Sequence, residues 1–323
     1  MRYFIFCLLL FPLGLCNSVI VPLENQEELS FIISNKIKIS QENKSIIETL
    51  DSFLLSKDNH PYENDYWLAS DFDKYQYPYH DLYHIQKKEK IKPELISISN
   101  TDEENTKQIK LKYTGIDSSD KVIELMTFNF LVEKLNHEFK FKKILNHNTK
   151  NWERHKKGKI NYIVSPKRKF KTEDAQKQME YINSAVEVFE VEIDPITYYS
   201  CINPVEIFNI RGYDYCPQMY FAETGGLNET WDNTIFSGNN SERYDHEILH
   251  SFTRKKFGRK IHPFLDEGVC TFFGGSNQKP YIYHKSKLKE HLEQNPSFNL
   301  MDYLDPYTRL DLNEETSVSY TVG

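Results

Sequence analysis

The chain is expected to fold as an α+β protein, with a small N-terminal α+β domain followed by a second mixed domain. Apolar residues recur at helical spacing between 29 and 54, and four strand-like runs succeed one another between 94 and 145. Beyond 160, strand-like and helical segments alternate. A length of 323 residues agrees with two units, because single cores stop growing near roughly 250–300 residues.

The elements follow in order. Residues 24–57 are expected to be helical, breaking near Ser40, with Leu29, Ile33 and Ile37 and then Ile46, Ile47, Leu50 and Leu54 on the apolar stripe. The aromatic stretch from Tyr62 to Tyr83 has no period. Strands are expected at Glu94–Ser99, Gln108–Thr114, Val122–Phe130 and Phe139–Leu145, and the polar, basic segment Asn146–Lys159 reads as a linker. These place the first domain at 19–150 and the second at 151–323. In the second, Ile160–Val164 and Ile196–Tyr199 read as strands around a helix at Thr172–Phe189, capped by Thr172. Gly225-Gly226 and Ser237–Asn240 mark turns around a strand at Asn233–Phe236.

Composition excludes several classes. Apolar residues make up 39% and charged residues 27%, which fits neither a disordered chain nor a multi-span membrane protein. A net charge of −7 gives no electrostatic case for nucleic acid as a partner. Residues 1–18 read as a signal peptide: Arg2 is followed by an uncharged run, Tyr3 to Leu15, too short to span a bilayer. Cleavage after Ser18 is the expected exit. A lipid anchor at Cys16 is the alternative, although Leu15 stands where a lipobox needs a small residue. Export leaves Cys201, Cys216 and Cys270. The first two read either as a disulfide or as buried thiols, and Cys270 as core packing.

The chemistry concentrates in His246-Glu247-Ile248-Leu249-His250. Asn240 or Ser241 is the expected helix cap, and Tyr244, Ile248 and Phe252 form an apolar face. Residues four apart lie one turn above each other, so both imidazoles can reach one ion, whereas Glu247 is rotated by about 100° and can serve an attacking water. A metzincin needs a histidine six residues beyond His250, and Lys256 stands there. Instead, Pro263 opens a second helix that carries Asp266, Glu267 and Gly268, and a carboxylate from it would complete the site. Of the remaining histidines, His80 and His84 share the spacing without a glutamate, and His262 reads as a loop residue.

This arrangement resembles the gluzincin zinc peptidases, the group that includes thermolysin and aminopeptidase N. The likeness extends over about 160–323 and is strongest over 244–275. It implies a thermolysin-type catalytic domain with a mixed sheet and a zinc-binding helix pair. Zinc would be held by His246, His250 and Glu267, with Glu247 as general base. The closing run Ser317-Val318-Ser319-Tyr320-Thr321-Val322-Gly323 is similar to the stretch around the family's transition-state tyrosine, which implies that role for Tyr320. In the family the chain continues well past that tyrosine, so a longer open reading frame is expected. The aminopeptidase amine-recognition signature is absent. The resemblance implies an exported zinc peptidase acting on peptides or proteins, with the edge strand expected at Asn233–Phe236 pairing with substrate. A zinc hydrolase of non-peptide amides and a catalytically impaired scaffold are the alternatives.

Overall fold

A computed structural model describes residues 29–56, 64–72, 91–116, 118–229, 232–258, 261–303 and 310–322. The segment 1–18, including Cys16, and the histidines at 80 and 84 lie outside the described residues. The chain is mixed α and β, and its main strands form two sheets. Among the described residues no helix is long and apolar enough to cross a membrane.

The first sheet has the order β1 (Ile32–Ile33), β2 (Glu94–Asn100), β3 (Thr106–Ile116), β4 (Val122–Leu135) and β5 (Glu138–Lys142). Helix α1 (Gln41–Ser56) buries Ile46, Ile47, Leu50, Phe53 and Leu54 against it. Phe53 meets Trp67 and Phe141 at ring separations of 5.7 and 5.2 Å. The helix expected ahead of Ser40 is not formed over 29–39. There Ile32–Ile33 pairs in parallel with β2, and Leu29, Ile33 and Ile37 lean on the core from a segment of bends, a two-residue strand and a turn. Spacing of apolar residues cannot separate a helix from a strap laid along a sheet edge.

The second sheet has the order β10 (Gly226–Glu229), β11 (Thr234–Ser237), β8 (Ile196–Ser200), β7 (Ile160–Val164) and β6 (Glu153–Lys157). The β11–β8 and β8–β7 ladders are parallel and the two outer ladders antiparallel. Helix α4 (Thr172–Phe189) connects β7 to β8, following two short helices, α2 (Ala69–Phe72) and α3 (Leu145–Asn148). The proposed linker is therefore a helical turn and a strand. As an edge strand β6 needs no continuous apolar face, so its Glu-Arg-His-Lys-Lys sequence carries no periodic signal.

Side chains on the central strands alternate between two cores. Ile160, Tyr162, Tyr198 and Ile235 pack with α4 and with Ile248, Leu249 and Phe252. Ile163, Tyr199 and Phe236 face the core of the first sheet. A short helix, α5 (Pro204–Ile210), leads to β9 (Tyr213–Tyr215), which pairs with β4 and so extends the first sheet from beyond residue 150. Cys201 and Cys216 are buried free thiols, so the disulfide is not formed.

Candidate metal centre

The site rests on two helices, α6 (Asp245–Phe257) and α7 (Pro263–Gly274). The start of α6 is not capped by Asn240 or Ser241. Its N-cap is Tyr244, whose side chain makes no cap bond. The cap comes from α4: Gln178 Oε1 accepts from Tyr244 N at 2.6 Å, and Gln178 Nε2 donates to Asp245 Oδ1 at 3.2 Å. Just upstream, Glu242 is fully buried and accepts from Arg168 Nη2 at 2.8 Å and from Lys171 N at 3.1 Å. Breaking such a buried pair costs on the order of 3–5 kcal/mol, and this one ties the approach to α6 onto the strand ends. From the edge strand, Asn228 Nδ2 donates to Glu247 O at 2.5 Å and to Ser251 Oγ at 3.2 Å.

Helix α7 starts at Pro263, and His262 caps it, with Nδ1 accepting from Phe264 N at 3.3 Å. It runs close enough to α6 that a Cβ on Gly274 would lie 2.7 Å from His246 N. Gly275, at φ +72°, turns its carbonyl toward His246, and Nδ1–H donates to it at 2.7 Å. His250 Nδ1 lies 3.0 Å from Asp266 Oδ2. Asp266 Oδ1 also accepts from Thr253 Oγ1 and, at 3.7 Å, from Cys270 Sγ. Cys270, expected only to pack the core, lies 3.4 Å from His250 Nδ1. Asp266 and Cys270 are one turn apart on α7, a spacing that marks the pair only once α6 is known to face it.

Both imidazoles thus turn Nε2 toward the same point. His246 Nε2 lies 3.3 Å from His250 Nε2 and 3.3 Å from Glu267 Oε2, and His250 Nε2 lies 3.6 Å from Glu267 Oε1. Tetrahedral zinc, with bonds of about 2.0–2.1 Å, sets its ligand atoms roughly 3.3–3.4 Å apart. With each Nδ1 facing a carbonyl or carboxylate, the two Nε2 lone pairs oppose each other, an arrangement that a shared cation satisfies. The donor set fits zinc.

Charges around the site agree. Burial opposes ionisation of Glu267, but the His246 hydrogen bond and the nearby His250 outweigh it and hold the carboxyl below its ordinary value. Asp266 is likewise held low against burial, mainly by His250. Burial also opposes a charge on His250, yet Cys270, Asp266 and Glu267 raise it well above the usual imidazole value. Glu247 is buried beside this cluster. Burial lifts its carboxyl above normal, partly offset by His250 and His246. A carboxylate whose pKa is raised is a better proton acceptor.

Tyr320 reaches the centre from the end of the chain. After helix α8 (Tyr281–Gln294), the hairpin β12 (Asp311–Asn313) and β13 (Thr316–Ser317) returns to α7 and ends in the short helix α9 (Ser319–Val322). The half-buried Tyr320 ring stands 6.1 Å from the His246 ring. The fold therefore gathers His246, Glu247, His250, Glu267 and Tyr320 in one place. One expectation is corrected. The strand over Asn233–Phe236 forms as β11, but both its edges are paired, with β8 and β10, so it cannot accept a further strand. The edge of this sheet beside α6 is β10.

Among the described residues two further groups could hold a cation: His250, Asp266 and Cys270, which shares His250 with this centre, and Asp102, Glu103 and His147, which pairs with Lys150 and Lys142. No protein-family model and no curated protein matches the chain, so the reading of this centre rests on its geometry.

Proposed function

We propose that this chain is an exported zinc-dependent peptidase of the gluzincin type, hydrolysing peptide bonds at the His246–His250–Glu267 centre. The observation that carries the proposal is the opposed Nε2 pair, 3.3 Å apart, with Glu267 closing the third side. A catalytic zinc held by two histidines and one glutamate supplies Lewis acidity to the scissile carbonyl and lowers the pKa of water. The remaining steps belong to the chain. Glu247 takes the proton of the attacking water and delivers it to the leaving amine. Tyr320 donates to the oxyanion as it develops. Substrate lies along β10 as an added strand, beside the helix that Asn228 fastens to that edge.

The test is metal analysis with turnover of a quenched fluorescent peptide library. Wild type should bind about one zinc and cleave. Glu247→Gln should keep zinc and lose cleavage, and Glu267→Ala should lose zinc first. Metal loss in Glu247→Gln, or equal zinc in wild type and Glu267→Ala, would refute the assignment of base and ligand.

A further inference from the structure

His284 stands outside the donor set and is fully buried on α8. Its Nε2 lies 3.1 Å from Ser276 O, which can only accept, so Nε2 carries the proton. Nδ1 is then an acceptor, 2.9 Å from Thr316 Oγ1, which donates. Burial pushes this imidazole below its ordinary pKa and keeps it neutral, preserving one donor and one acceptor.

The two contacts lead to two different parts of the metal centre. Ser276 follows Gly275, whose carbonyl orients His246. Thr316 starts β13, which leads into the turn in which Thr321 N and Oγ1 both donate to Val318 O, at 3.0 and 2.7 Å. Tyr281 OH, also on α8, donates to Thr321 O at 3.3 Å. Tyr320 lies near both histidines, with its ring 6.1 Å from His246 and 5.8 Å from His284.

We infer that His284 is a positioning residue, holding through Ser276 the peptide that orients His246 and through Thr316 the segment that carries Tyr320. Its catalytic consequence rests on the zinc-peptidase reading, but the two linkages do not. They separate by substitution. Asparagine keeps an acceptor near the Nδ1 position and falls short of Ser276, whereas glutamine reaches Ser276 with its amide N–H and offers nothing to Thr316.

The experiment compares His284→Asn, His284→Gln and Thr316→Val in the full chain. Zinc affinity is read by chelator competition, and the placement of residue 320 by ¹⁹F NMR with 3-fluorotyrosine there. His284→Gln and Thr316→Val should shift the ¹⁹F resonance toward that of free fluorotyrosine and leave zinc affinity within about twofold. His284→Asn should keep the native resonance and weaken zinc about tenfold, the low end for an outer-shell partner. Equal effects of both His284 variants on both readouts, or none on either, would overturn the inference. Failure of the wild type to cleave the peptide library would count against the peptidase reading and leave these two readouts standing.

Discussion

His246 and His250 present their Nε2 atoms to each other at 3.3 Å, while each Nδ1 is held from behind, one by Gly275 O and the other by Asp266. Two lone pairs at that separation repel unless a cation lies between them. In metal-free protein a proton on His250 would fill this role, and the acidic surroundings that raise its pKa favour that proton.

Zinc binding should therefore compete with a proton that His250 retains above the ordinary imidazole value of about 6.5. Apparent affinity should fall by about tenfold per pH unit for each proton displaced, starting above pH 6.5. Asp266→Asn, which weakens the support of the charged ring, should move that fall to lower pH. Chelator competition from about pH 5.5 to 8.5 checks this, and an affinity flat down to pH 6 in wild type would contradict it.

Gly274→Ala should damage the centre without touching a ligand. Its Cβ would come within 2.7 Å of His246 N and 2.9 Å of His246 Cα, and backbone cannot swing aside. A loss of about 1–3 kcal/mol in denaturant unfolding is expected, together with weaker zinc binding. Gly258→Ala is the control: its Cβ would enter open space, so strain at φ +78° should lower stability and leave the metal alone.

Tyr320→Phe should slow turnover by about 10²–10³, the usual cost of losing one oxyanion donor. Zinc content and melting temperature should stay near wild type. Unchanged kcat would remove Tyr320 from the chemistry and leave its ring as a packing element against His246.

Asp232 supplies a pH test outside the candidate metal centre. Burial pushes its carboxyl up to about 6, and Oδ1 has no hydrogen-bond partner. With the folded pKa above the unfolded value of about 3.9, the stabilisation it contributes is complete below pH 4. It is lost as pH rises to 6, where the buried charge forms. Asp232→Asn should accordingly stabilise the protein by roughly 2 kcal/mol at pH 7.5 and little at pH 4. Equal Tm shifts at the two pH values would show that Asp232 does not titrate there.

Much of the site was legible because helix geometry is local. A four-residue spacing turns His246 and His250 to one side whatever surrounds them, and Pro263 marks where the helix bearing Glu267 begins. Strands with a buried face were legible for the same reason, as at Ile160–Val164. The edge strand β6 was not, because alternation is imposed by burial and an exposed edge has little.

The sequence alone determined which residue types could serve as ligands and base, and on which turn of which helix they stand. Tertiary structure decided everything that joins distant segments. Gln178 caps a helix whose N-cap residue lies 66 residues later, and Arg168 anchors its approach through Glu242. A carbonyl freed by positive φ at Gly275 orients His246, Cys270 comes to lie against His250, and His284 bridges Ser276 to Thr316. Such contacts leave no periodic trace, since each needs one donor and one acceptor brought together by packing that no local window of sequence contains. The edge strand was decided in the same way: among the described residues β10 rather than β11 forms the edge, because parallel pairing with β8 draws β11 into the sheet.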